Sequence, residues 1–185
     1  VSRLCRRLGY TGYKDFRSAL VRDVIAQQPP APDFTGTDLS KDATVTEIAQ
    51  RVFEFSRKSL ADGHTLIDPD TIERCVDAFE KAGRILFLGG GTSGISASYA
   101  HSKFFRLGLP AEVETDGIMK RMKCSLLGRK DVLFAISSSG RTRETVDCAT
   151  IARDRGATVV SLTDFARAPL VAAANINLFT TPRNA

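Results

Sequence analysis

The chain has 185 residues, 43% apolar and 25% charged, which is enough for a real core and ordinary for a globular protein. No apolar run approaches the ~18 residues that cross a bilayer, no charged-then-apolar leader opens the chain, and four scattered cysteines (Cys5, Cys75, Cys124, Cys148) lack the spacing of a zinc site or disulfide framework. The net charge is +5, and residues 1–30 hold six basic side chains against only Asp15 and Asp23, the asymmetry of a polyanion-facing segment joined to a nearly neutral body.

In chain order, Val1, Leu4, Cys5 and Leu8 fall at helical spacing and Gly9 suits a C-terminal cap. A second helix is expected over 13–26, with Phe16, Leu20 and Val24 on one side. Pro29, Pro30 and Pro32 then mark a linker, since proline removes backbone donors. Thr44 and Glu47 have the spacing of a capping box for a helix over 44–61, with the stripe Val45, Ile48, Ala49 and Val52. Asp68-Pro69 opens another over 69–82, with Ile72, Cys75, Val76 and Phe79 inward and Gly83 closing it.

From Arg84 the pattern alternates. Strands are expected at 85–88, 111–115, 131–136, 158–162 and 176–180, with helices between them to about Leu107, over 117–127, 143–155 and 168–174. Repeated β-α units, with unbroken apolar runs such as Val132-Leu133-Phe134-Ala135-Ile136, predict an α/β fold: a mostly parallel sheet with helices on both faces. The chain starts at Val1 and stops just after a strand-like run, which reads as a fragment at both ends.

Two strand-to-helix turns carry the chemistry. In the first, Gly89 to Gly94 allow close approach of a ligand and Thr92 and Ser93 add hydroxyls. Gly89, Gly91 and Gly94 match G-x-G-x-x-G literally, but a nicotinamide site also needs an acid on the ribose, and that reading ranks low. The second turn, Ser137-Ser138-Ser139-Gly140-Arg141-Thr142, sets hydroxyls around the unpaired N–H groups of a helix start, a site for phosphate. No lysine stands in a G-x-x-x-x-G-K arrangement, so a nucleoside triphosphate loop is disfavoured. A phosphate held by neutral groups at a helix dipole fits a small metabolite.

The strings Gly91-Thr92-Ser93 and Ser137-Ser138-Ser139-Gly140-Arg141-Thr142 resemble the sugar isomerase (SIS) domain, over about 69–185 and without that domain's usual final part. Before it, Arg3-Leu4-Cys5-Arg6-Arg7-Leu8-Gly9-Tyr10 with Gly12-Tyr13-Lys14-Asp15-Phe16 looks like the end of an RpiR-type helix-turn-helix domain. The resemblance implies a bacterial, cytoplasmic transcriptional regulator of carbohydrate metabolism, homodimeric or higher, whose SIS domain senses a phosphorylated sugar or sugar acid. It implies the end of the DNA-binding domain over 1–28, a linker over 29–43 and the SIS domain with its leading helices over 44–185. Effector-binding roles pass to Thr92, Ser93, Ser137, Ser139 and Thr142, with Ser138 lining the same pocket. Val1 would lie within the recognition helix, leaving Arg3, Arg6, Arg7 and Lys14 for DNA phosphates. The segment Asp116-Gly117-Ile118-Met119-Lys120-Arg121-Met122 is similar to the branch that controls hexose catabolism, which implies a keto-deoxy-phosphogluconate type of ligand. No metal and no cofactor are expected.

The competing class is an SIS phosphosugar isomerase or lyase, which needs a base within reach of a carbon-bound proton. His101, Glu114 and Asp116 are the candidates, and His64 is expected in an exposed interhelix turn. A purely structural pairing module, using the apolar faces of the helices over 44–61 and 69–82, ranks last because it leaves the hydroxyl cluster without a role.

Overall fold

Short runs of branched and large apolar residues form five strands: β1 (Arg84–Gly89), β2 (Ala111–Glu114), β3 (Asp131–Ile136), β4 (Thr158–Thr163) and β5 (Ile176–Phe179). The structure, a computed structural model, describes residues 5, 6, 8 and 43–181. The helix expected over 13–26 and the proline linker lie outside them, and of the first expected helix only Cys5, Arg6 and Leu8 are described, the first two helical and Leu8 in a turn. Residues up to Arg57 and those from Lys58 onward form two compact units, and the sheet belongs to the second.

All strand pairs are parallel, in the order β2-β1-β3-β4-β5. β1 and β3 run side by side in register from Arg84↔Asp131 to Gly89↔Ile136. The chain leaves β1 toward β2 on one side and reaches β3 on the other, so the carboxyl ends of β1 and β3 flank the point where strand order reverses. Open α/β sheets form their ligand crevice there.

Both faces of the sheet are covered, which explains the unbroken apolar runs. On one face Leu86, Leu88, Leu133, Ala135 and Val159 pack with α4 (Gly117–Ser125), α5 (Arg143–Asp154) and α6 (Pro169–Ala173). The other face carries Ile85, Phe87, Val132, Phe134 and Val160, under α2 (Pro69–Glu80) and α3 (Thr92–Arg106). Asp68 caps α2, accepting from the Thr71 N–H, and Pro69 occupies its first turn. The expected inward stripe of α2 is only half right. Cys75 and Phe79 are buried, whereas Ile72 and Val76 remain 40% and 46% exposed, because only one flank of the stripe meets the sheet.

α1 (Val45–Thr65) has the anticipated capping box: the Thr44 N–H donates to Glu47 Oε2 at 2.8 Å and the Glu47 N–H to Thr44 Oγ1 at 3.3 Å. It runs four residues past the expected end, which places His64 in its last turn rather than in an interhelix loop. None of its residues is buried.

Between α4 and α5 lies a small polar cluster inside apolar surroundings. Lys120 is 4% exposed and sets its Nζ 3.6 Å from Glu144 Oε2, while Glu144 Oε1 is buried without a partner. Beside it lie the buried thiols of Cys124 and Cys148, 24 residues apart in sequence, and the neighbouring Cys148 thiol together with burial pushes Cys124 up. Removing Lys120 would strand a carboxylate that water reaches only in part. Lys120→Ala is therefore expected to cost about 2 kcal/mol, below the range for a fully buried pair because Glu144 stays partly hydrated. Urea unfolding checks this, and Lys120→Met combined with Glu144→Gln should recover most of the loss.

Candidate functional site

The first turn is shaped by close backbone contact. A Cβ on Gly89 would fall 2.4 Å from Ser93 O, so the end of β1 touches the start of α3 and only glycine fits. Gly91 then precedes α3 with φ +55°, a conformation that favours glycine. Thr92 and Ser93 form the first residues of α3, and their hydroxyls have no partner among the described residues.

The second turn closes differently. Gly140 adopts φ +59°, and its N–H donates to Ser137 O at 2.9 Å. The Ser137 and Thr142 hydroxyls pair at 3.1 Å, and Ser139 Oγ accepts from the Arg141 N–H at 3.2 Å. Thr142 caps α5 without using its side chain on the helix. Among the described residues the N–H groups of Ser138 and Ser139 have no acceptor. Unspent donors at the mouth of a helix form an anion-binding arrangement. The two turns are neighbours, since a Cβ on Gly90 would lie 3.6 Å from the Thr142 methyl.

Above the sheet's carboxyl edge these turns border a cavity of about 300 Å³. Three of the six expected residues line it: Thr92, Ser93 and Ser138. Ser137 is 2% exposed and sits behind the wall, while Ser139 and Thr142 are exposed at the second turn, outside the lining. Residues that sequence reasoning missed complete the wall, notably Ser96, Asp164 and Thr180. Ser96 lies one helical turn after Thr92, and that spacing was a usable signal. Asp164 and Thr180 follow the ends of β4 and β5, where no glycine or serine cluster marked a site. The wall is thus not made of neutral groups alone. The Asp164 carboxylate accepts hydrogen bonds from Ser138 Oγ and Thr180 Oγ1, and the Asp164 N–H donates to Ser138 O at 2.9 Å.

The three groups considered as bases do not line this cavity. His101, half-buried on α3, stacks loosely near Phe105, ring centroids 6.0 Å apart. Glu114 accepts from the N–H groups of Asp116 and Thr115, and chiefly the Asp116 bond holds its carboxyl below the usual carboxylate range. Asp116 caps α4 through the N–H groups of Ile118 and Met119. His64 is exposed. Of the basic residues assigned to DNA, Arg6 is exposed and helical, while Arg3, Arg7 and Lys14 lie outside the described residues. Among the described residues no group of three or more His, Cys, Asp or Glu could hold a metal, and no helix is long and apolar enough to cross a membrane.

The sequence matches the SIS domain family over residues 78–184. It is 34% identical over 178 residues to the HTH-type transcriptional regulator HexR of Pseudomonas aeruginosa, covering 96% of this chain and 61% of that protein. Among solved structures, the Vibrio vulnificus NanR protein complexed with ManNAc-6P superposes with a TM-score of 0.74 at 32% identity, over 98% of this chain and 62% of that one. The sugar isomerase domain of an RpiR transcription factor from Sphaerobacter thermophilus gives a TM-score of 0.69 at 25% identity, over 72% of this chain and 75% of that one. The chain therefore spans less than two thirds of the length of the curated regulators it matches.

Proposed function

The chain belongs to the SIS-domain family, and from that premise we propose that it is the effector-sensing part of an RpiR-type transcriptional regulator, with the end of a helix-turn-helix domain over 1–28 and a linker over 29–43. The observation that carries this reading is the pair of adjoining turns at the strand-order reversal, where the Thr92 and Ser93 hydroxyls border a cavity and, with the N–H groups of Ser138 and Ser139, are not consumed by the fold. A phosphate monoester suits them: it is anionic, accepts several hydrogen bonds, and is favoured at a helix start. Regulation is preferred to isomerisation because the likeness to HexR and NanR covers nearly the whole chain, including the basic segment ahead of the sugar-binding match. The effector is a phosphorylated sugar or sugar acid, with the keto-deoxy-phosphogluconate type among the candidates.

Mechanistically, the phosphate settles against Thr92, Ser93 and the second turn, while Thr142 and Ser137 hold that turn in shape through their shared hydrogen bond. Binding acts on DNA only by preferring one arrangement of a dimer whose arrangements differ in DNA affinity. The full-length protein tests this by fluorescence anisotropy on its own promoter DNA. Affinity should fall steeply with salt and change on adding a hexose phosphate. Thr142→Ala removes the neutral bond that shapes the turn and should weaken the sugar response by about 0.5–1.5 kcal/mol while leaving sugar-free DNA binding unaltered. Salt-insensitive binding, or turnover of an aldose phosphate to a ketose phosphate, would reject the regulator reading.

A further inference from the structure

We propose that the Asp164 side of the cavity selects effectors presenting hydrogen-bond donors, the hydroxyl or amine groups of a neutral or amino sugar phosphate, and rejects those that bring a carboxylate there. The inference deepens the proposed function and rests on this cavity being the effector site.

Proton counting carries it. A hydroxyl has one hydrogen to give. Ser138 Oγ gives its hydrogen to Asp164 Oδ2, and Thr180 Oγ1 gives its hydrogen to Asp164 Oδ1. Both hydroxyls can therefore offer the cavity only lone pairs. Each carboxylate oxygen accepts up to two bonds, so Asp164 keeps acceptor capacity on both. The side chains of Ser138, Asp164 and Thr180 together make a wall that accepts and cannot donate.

The other side has the opposite character. Thr92 and Ser93 have uncommitted hydroxyls, and the Ser138 and Ser139 N–H groups are unspent. A phosphate dianion, itself acceptor-only, is oriented toward these donors and away from Asp164. The sugar must then satisfy the acceptor wall with donors of its own. Among the described residues that line the cavity none is Lys, Arg or His, so none of them compensates a second anion beside Asp164. A carboxylate placed there would meet like charge in a partly enclosed space, and such juxtapositions are what exclude wrong ligands. The two effector classes left together above are thereby separated: an aldose or hexosamine phosphate fits, and a phosphorylated sugar acid whose carboxylate reaches Asp164 does not.

Calorimetric titration with glucose 6-phosphate, glucosamine 6-phosphate, 6-phosphogluconate and inorganic phosphate tests this. The first two should bind at least about tenfold more tightly than 6-phosphogluconate, the open-chain acid of glucose 6-phosphate, which carries a carboxylate at the far end. Asp164→Asn removes the charge and adds an amide donor, and should narrow that ratio to within about threefold. Equal or tighter binding of 6-phosphogluconate to the unchanged protein overturns the inference without any variant, and so does an unmoved ratio in a folded Asp164→Asn protein. Inorganic phosphate that binds alongside sugars the protein does not discriminate overturns this inference alone. Silence from all four compounds overturns the effector site itself.

Discussion

Gly140→Ala is expected to lower stability by about 3–4 kcal/mol and to abolish measurable sugar phosphate binding. Two independent costs meet at this residue. Its φ of +59° lies in the left-handed region, which costs an L-residue roughly 1–2 kcal/mol. The added Cβ would also fall 2.4 Å from Ala168 Cβ and 2.7 Å from Thr163 Oγ1, an overpacking that costs about 1–3 kcal/mol. The turn cannot slide away to relieve it. The Gly140 N–H is held by Ser137 O, its carbonyl by the Leu170 N–H at 3.0 Å, and Thr163 Oγ1 donates to Ser138 O at 3.0 Å. Any shift that accommodates the methyl breaks one of these bonds and moves the Ser138 and Ser139 N–H groups. Gly108→Ala separates the two costs, because Gly108 has φ +79° and a Cβ there meets nothing within 4 Å. It should lose only the backbone part. Urea unfolding of both variants, read as midpoints at constant slope, decides the matter. Equal losses would mean that the crowding around Gly140 is not real.

The sheet was legible because its strands are buried on both faces and so appear as continuous apolar runs, as in Ile85-Leu86-Phe87-Leu88. Helix starts were equally legible where a side chain does local work, as at Thr44 with Glu47 and at Asp68. Periodicity could not say how much of a stripe is covered, since that depends on what the fold brings opposite, and so Ile72 and Val76 were placed inside. The site divides along the same line. Its donor half lies in two contiguous turns whose glycines and hydroxyls announce a close approach. Its acceptor half is assembled from Ser138, Asp164 and Thr180, which come together only because β3, β4 and β5 are parallel neighbours. In sequence Asp164 is one acid after a strand, indistinguishable from ordinary strand-end punctuation. Ser137 shows the opposite case: its residue type suits a ligand, but it is buried and its hydroxyl pairs with that of Thr142.

The core beneath the first turn links stability to the site, and Phe87→Ala exposes that link. Phe87 is fully buried in the middle of β1, edge-on to Phe104 with ring centroids 5.0 Å apart and tilted against Phe134 at 5.3 Å. Phe104 belongs to α3, the helix whose first residues are Thr92 and Ser93, and it also meets Phe79 of α2 edge-on at 5.0 Å. Truncating Phe87 leaves a cavity that rigid strands on both sides keep from collapsing, at a cost of about 4 kcal/mol. For a chain of this size the melting temperature should fall by roughly 10 °C. The ring also sets how far α3 stands off the sheet, so the donor wall loses its fixed distance from Ser138. Sugar phosphate affinity should therefore fall in the surviving folded protein, although Phe87 touches no ligand. Phe87→Leu fills most of the volume and should lose less than half as much on both counts. Calorimetry below the melting transition measures the affinity part, and thermal unfolding with and without the sugar phosphate measures the stability part, because a ligand that binds only the folded form raises its melting point by mass action. A loss under about 1 kcal/mol for Phe87→Ala would show that the aromatic cluster can repack, and that the spacing of the two turns is set elsewhere.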